Sequence, residues 1–181
     1  MSFPFQTLSE FIAARQNNLI TFSDWNADEL RYEKLLGVLK KTTLGRYFAL
    51  KRWLKEVAKY CNKRIKLKLH RSLACPYMRE SGEIGLGVRD FKRGGYLFFA
   101  IAHETAHFIL MRQEDYGTLK SLDGQYPESG DKKMLSPVEY CANRITLKLF
   151  ERCAALTKKA KEKEVILRCI DSLKGQLEKA Q

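Results

Sequence analysis

Tyr96-Leu-Phe-Phe-Ala-Ile-Ala-His-Glu-Thr-Ala-His-Phe-Ile-Leu-Met-Arg112 is the most apolar stretch of the chain, and three ionisable groups sit in its middle. Arg93-Gly-Gly leads into it, and the spacing predicts a helix over Tyr96 to Arg112. A helix that is apolar on nearly every side is buried on nearly every side. His103, Glu104 and His107 interrupt the stretch, which is also too short to span a bilayer. It therefore predicts the central helix of a water-soluble core, and the rest of the chain must supply its cover.

Upstream, Arg64-Ile-Lys-Leu-Lys-Leu-His70 alternates polar and apolar residues with period two, as a strand with one buried face does. Two further short strands are expected near Leu73 to Met78 and Glu83 to Val88, separated by the turn residues Glu80, Ser81 and Gly82. Together they predict a small, mostly antiparallel sheet, with the strand at Glu83 to Val88 offering an open edge to an extended peptide. Downstream, Gln113 to Leu135 is polar, carries Gly117, Gly124 and Gly130, and reads as a long loop. Ser136-Pro137 restarts a helix through about Cys153, and a charged helix runs from about Thr157 to Lys179. Nearer the N-terminus, helices are expected around Leu8 to Ala14, from Asp28 to Leu39, and from about Leu44 to Cys61. The expected fold class is α+β: a small sheet packed on the buried helix, with additional N- and C-terminal helices. A basic helical region, 1–62, and a core, 63–181, that includes the C-terminal helix share one compact domain, as 181 residues allow.

The net charge of +12 is concentrated. Arg31 to Arg71 holds 14 Lys and Arg against only Glu33 and Glu56, so the whole excess lies in this region and the remainder is neutral. Such a block is either a solvated helix surface or a face for nucleic acid or an acidic protein. Five cysteines, Cys61, Cys75, Cys141, Cys153 and Cys169, form no C-x-x-C and leave one unpaired in any disulfide scheme, which fits a reducing compartment. Met1-Ser-Phe-Pro-Phe-Gln6 lacks a basic start and an apolar run, so no secretory signal is read and a cytoplasmic location is expected. No membrane association is expected.

His103-Glu104-Thr105-Ala106-His107 is an H-E-x-x-H sequence. Residues four apart share a helix face, so two imidazoles can converge on one zinc ion at roughly 2 Å. Glu104 points to the side of that pair, where it reaches water rather than the ion and can move a proton from it to a leaving amine. With 3 His and 14 Glu in the chain, chance would produce the motif only roughly 0.4% of the time. Two core histidines tied to carboxylates would be the bland alternative, but three ionisable groups in an apolar helix are costly unless paired or metallated.

A third ligand must come from elsewhere. Only His70 remains among the histidines, and Leu110 and Gln113 stand where the extended H-E-x-x-H-x-x-G-x-x-H pattern needs Gly and His. A carboxylate from a later helix is the natural candidate, and Glu139 in Pro137-Val-Glu-Tyr-Cys-Ala-Asn143 stands out. Asn143, one turn on, can orient a ligand, and Ala142 is small enough to let two helices approach. Yet Ser136-x-x-Glu139 is also a capping box with Pro137 at the first helical position. If the side chain folds back onto the Ser136 amide, then Glu114, Asp115, Glu128 or Asp131 must serve instead. Tyr77, Tyr96, Tyr116, Tyr126 and His70 are candidate donors to a developing oxyanion, against ordinary packing and turn roles for each.

From Leu67 to Phe150 the chain resembles the ImmA/IrrE family of zinc-dependent metallopeptidases. The likeness rests on a short sheet, then Ile101-Ala-His-Glu-Thr-Ala-His-Phe108, then a loop and Glu139-x-x-Ala-Asn143. Thr105-Ala106 stands where the family has an apolar residue and Gly, and Ile145-Thr146 where Phe-Ala is common. The resemblance implies a gluzincin-like fold, Zn2+ held by His103, His107 and Glu139, and Glu104 as the acid/base. It also implies a protein substrate, since characterised members cleave DNA-binding repressors.

Overall fold

A helix this apolar needs neighbours on every side, and the computed structural model of the chain supplies them. The structure describes residues 5–17, 19–20, 55, 64–71, 73, 75–87, 94–126 and 135–179. Apart from Lys55, the helices expected between 28 and 61, with most of the basic block and Cys61, lie outside the described residues. In chain order the described elements are helix α1 (Leu8–Gln16), strands β1 (Lys66–His70), β2 (Tyr77–Met78) and β3 (Glu83–Gly87), and helices α2 (Gly94–Leu110), α3 (Tyr116–Gly124), α4 (Pro137–Leu156) and α5 (Ala160–Lys179). The class is α+β and mostly helical. No helix among the described residues is long and apolar enough to cross a membrane.

The strands fall close to where alternation places them, but their order corrects the expected sheet. The order is β1-β3-β2, with five residue pairs parallel between β1 and β3 and two antiparallel between β2 and β3. The longer pairing is thus parallel, and β3 is the central strand rather than an open edge. Burial explains the choice: Ile84 and Leu86 are fully buried, so the strand carrying them takes the middle, while the two-residue β2 is relegated to the side. The turn from β2 into β3 requires glycine. Gly82 has φ +88°, and a Cβ there would collide with the Arg64 carbonyl.

The expected loop after α2 is partly helical. Tyr116, Leu119 and Leu122 recur at helical spacing, and Leu119 and Leu122 are buried in α3. Burying two leucines contributes about 1.5–3 kcal/mol each. That outweighs the cost of roughly 1 kcal/mol for Gly117 in the helix. The α3 helix packs on α4, which also contacts α2 and α5. On α5, Ile166, Cys169, Ile170, Leu173 and Leu177 form one buried stripe. Phe11, Ala14 and Ile20 from the N-terminal segment join the same core as the sheet and the later helices.

From Ala100 to Leu110 every residue of α2 is buried except His103, which is half-buried. Ala102, Ala106 and Ala142 are all fully buried, consistent with small residues where α2 and α4 pack together. Thr105 and Thr146 sit among them at no cost in unsatisfied hydroxyls. Each donates to its own helix backbone, at Ala102 O and Ala142 O, over 2.8 Å.

Candidate metal centre

Phe99, His103 and His107 succeed one another at four-residue steps along α2. The Phe99 ring stacks on His103 at 5.9 Å, and the His103 and His107 rings meet edge to face at 4.6 Å. Their Nε2 atoms are 3.1 Å apart. From α4, Glu139 completes a triangle: Oε2 lies 3.2 Å from His103 Nε2, and Oε1 lies 3.2 Å from His107 Nε2. These three residues form a group that can hold a metal ion.

With Glu139 ionised, no arrangement of protons on the two imidazoles satisfies all three sides of that triangle. Each Nε2 offers either one N–H or one lone pair, and an ionised carboxylate only accepts. If both imidazoles are protonated at Nε2, two N–H groups confront each other. If one is, the other nitrogen's lone pair faces the carboxylate. A shared cation removes the conflict. Ligands about 2.0 Å from a tetrahedral ion lie about 3.3 Å from one another, close to the three separations here.

Glu139 reaches the imidazoles because the start of α4 is capped by other groups. Ser136 Oγ accepts from Glu139 N at 3.4 Å, and Asp123 Oδ1 of α3 accepts from Val138 N at 3.0 Å. The carboxylate is therefore turned toward the histidines, not back onto Ser136. Glu114 and Asp115 are not part of the group, and Glu128 and Asp131 lie outside the described residues. Burial works against ionisation of Glu139, but hydrogen bonds and charge from His103 and His107 hold its carboxyl well below the usual range.

Glu104 follows His103 and is buried at 6% exposure. Burial pushes its carboxyl up to about 7; His103 opposes the shift and the Glu139 charge adds to it. A carboxyl poised in this way exchanges protons near neutrality, as a general acid and base must.

Two buried atoms lack partners: His103 Nδ1 within the group and Asn143 Oδ1 on α4. When His103 presents its Nε2 lone pair to an ion, Nδ1 carries the proton. Asn143 donates through Nδ2 to Gln176 Oε1 on α5 at 3.3 Å, which leaves its oxygen as an idle acceptor one turn along from Glu139.

The remaining candidates are placed otherwise. His70 Nε2 and the Tyr77 hydroxyl are 3.0 Å apart, and Tyr77 donates to Glu83 Oε1 at 2.7 Å. Tyr77 pairs with Gly85 and its ring covers that glycine, on the sheet face opposite Ile84 and Leu86. His70 and Tyr77 are thus engaged with each other and with Glu83, with no hydrogen bond to the His103 group. Tyr116 begins α3, half-buried, and burial raises its phenol above the ordinary range. Tyr126 lies just beyond α3, its amide bonded to Asp123 O, and Tyr96 lies in the first turn of α2. Cys141, Cys153 and Cys169 are buried, and burial raises the Cys141 and Cys169 thiols.

Sequence reasoning missed Asp123, Phe99 and Gln176. Phe99 was legible as the preceding i, i+4 position; Asp123 and Gln176 come from distant segments and leave no local signal. Comparison of the chain with models of protein families, with curated proteins and with solved structures returns no match.

Proposed function

We propose that the protein is a zinc-dependent metallopeptidase that hydrolyses a peptide bond in a protein substrate. The observation that carries the reading is the triangle of His103, His107 and Glu139, which a cation reconciles with Glu139 ionised, with the buried Glu104 beside it. Zinc supplies Lewis acidity there, polarising a carbonyl and lowering the pKa of water to about 7. The chain's own residues do the rest. His103 and His107 hold two positions from one rigid helix, and Glu139 fixes a third from its neighbour. Glu104 takes a proton from the attacking water on its carboxylate and returns it to the leaving amine. The resemblance to the ImmA/IrrE family supports a protein substrate, such as a DNA-binding repressor, and the cysteine pattern supports a cytoplasmic setting.

A second reading is favoured by the exposed side chains of Arg64, Lys66, Lys68 and Arg71. Here the group stabilises a module that binds nucleic acid through the basic region 31–71. Glu104→Gln separates the two. The variant retains zinc by elemental assay, and cleavage of a denatured protein mixture falls about 10²–10⁴-fold. Undiminished cleavage, or none in the wild type with zinc bound, overturns the peptidase reading.

A further inference from the structure

Arg15 of α1 is the largest fully buried side chain among the described residues. Its guanidinium makes one hydrogen bond, from Nη1 to the Leu135 carbonyl oxygen at 3.0 Å, and lies 5.3 Å from the centre of the Tyr140 ring. Nε and Nη2 are buried with no partner. A buried cation with idle donors is a net cost that an apolar residue of similar volume would avoid. Stability therefore gives no account of Arg15, whereas its contacts do.

Leu135 immediately precedes Ser136, the cap of α4, and Tyr140 immediately follows Glu139. Arg15 touches the chain on both sides of the carboxylate ligand. The connection is reciprocal, because Arg144 of α4 donates from Nη2 to the Ile20 carbonyl beyond α1. Phe11 adds an edge-to-face contact with the Tyr140 ring at 5.9 Å. The N-terminal segment thus grips the chain at 135, just before α4, and at 140 and 144 within it, spanning the residue whose two oxygens must each meet an imidazole. Ligand geometry of this kind tolerates little displacement.

We propose that Arg15 is a positioning residue for Glu139, acting through Leu135 and Tyr140 to fix where α4 begins, so that the N-terminal helix is part of the apparatus that builds the metal centre. The inference rests on the reading of His103, His107 and Glu139 as a zinc site. Its test is the zinc dissociation constant, measured by competition with a chromophoric chelator, beside the thermal midpoint of the metal-free protein. Arg15→Met weakens zinc binding about tenfold, the lower end of what outer partners contribute, and leaves the metal-free midpoint equal to or above that of the wild type. Arg15→Lys, which keeps the charge and a donor, recovers part of the affinity. An affinity for Arg15→Met within about twofold of wild type overturns the proposal, whatever the midpoint does. Should Arg15→Met fail to fold, Arg15→Gln decides it by the same twofold criterion. A wild-type chain that takes up no zinc overturns the metal reading itself, a result distinguishable because no variant is involved.

Discussion

Thr7-Leu-Ser-Glu10 and Ser136-Pro-Val-Glu139 begin two helices with the same pattern, a hydroxyl residue followed three positions later by Glu. At α1 both halves of the capping box form: Thr7 Oγ1 accepts from Glu10 N, and the Glu10 carboxylate accepts from the amides of Gln6 and Thr7 at 2.9 and 3.3 Å. At α4 only the first half forms, and the Glu139 carboxylate turns to two imidazoles. Glu10 is exposed and has backbone amides nearby to satisfy it. Glu139 stands opposite His103 and His107, while Asp123 caps the Val138 amide from another helix. The local pattern is a permission, and the tertiary surroundings decide how it is used.

The largest expected effect breaks this comparison at its sharper end. Glu139→Gln keeps the size of the side chain and its ability to accept a hydrogen bond, yet removes the charge that zinc requires in this set. Zinc retention through dialysis against a weak chelator is lost in Glu139→Gln and unchanged in Glu10→Gln, as measured by elemental analysis. Equal zinc content in the two variants would mean that Glu139 is a cap like Glu10 and that the carboxylate ligand lies elsewhere.

The two helix starts also show what could be read before folding. The motif on α2 was legible because every element of it is local: the four-residue spacing, the apolar flanks, and the rarity of His in the chain. Glu139 was legible only as an alternative, since Ser136-x-x-Glu139 describes a cap and a ligand equally well. The strands were legible in position but not in order, because the central place of β3 follows from the burial of Ile84 and Leu86 against distant residues. The α3 helix was hidden by Gly117, Gly124 and its polar flanks, and exists because Leu119 and Leu122 find cover. Arg15 reads as an unremarkable helix cation, and nothing near it announces that it is buried under α4.

A middle-sized effect sharpens the comparison. Asp123 takes part of the capping duty that frees Glu139, so Asp123→Ala removes an acceptor from the first turn of α4. Loss of a cap costs about 0.5–2 kcal/mol, and each kcal/mol lowers Tm by about 2–4 °C in a chain of this size. Calorimetry on the metal-free protein reads that fall. Zinc binding weakens in the same variant, because the first turn that carries Glu139 is less firmly held. A fall in Tm with unaltered zinc affinity would separate the cap from the site.

The smallest effect lies at α1 and follows from the direction in which Glu10 titrates. The backbone amides of Gln6 and then Thr7 favour its charged form and hold the carboxyl below the ordinary range. A carboxyl depressed on folding stabilises the folded state above the unfolded value, about 4.3 for Glu, and that contribution disappears as pH falls through the lower folded value. The protection of the Gln6 and Thr7 amides, taken as exchange relative to the intrinsic rate at each pH, therefore falls on acidification through that window in the wild type. Glu10→Gln, which has no carboxyl to protonate, gives a flat profile over the same range. Because Glu10 is exposed, global stability hardly moves and the change is confined to the first turn of α1. A pH-independent profile in the wild type would show that the box at Thr7 is not held by charge, and the contrast with Glu139 would then rest on the α4 side alone.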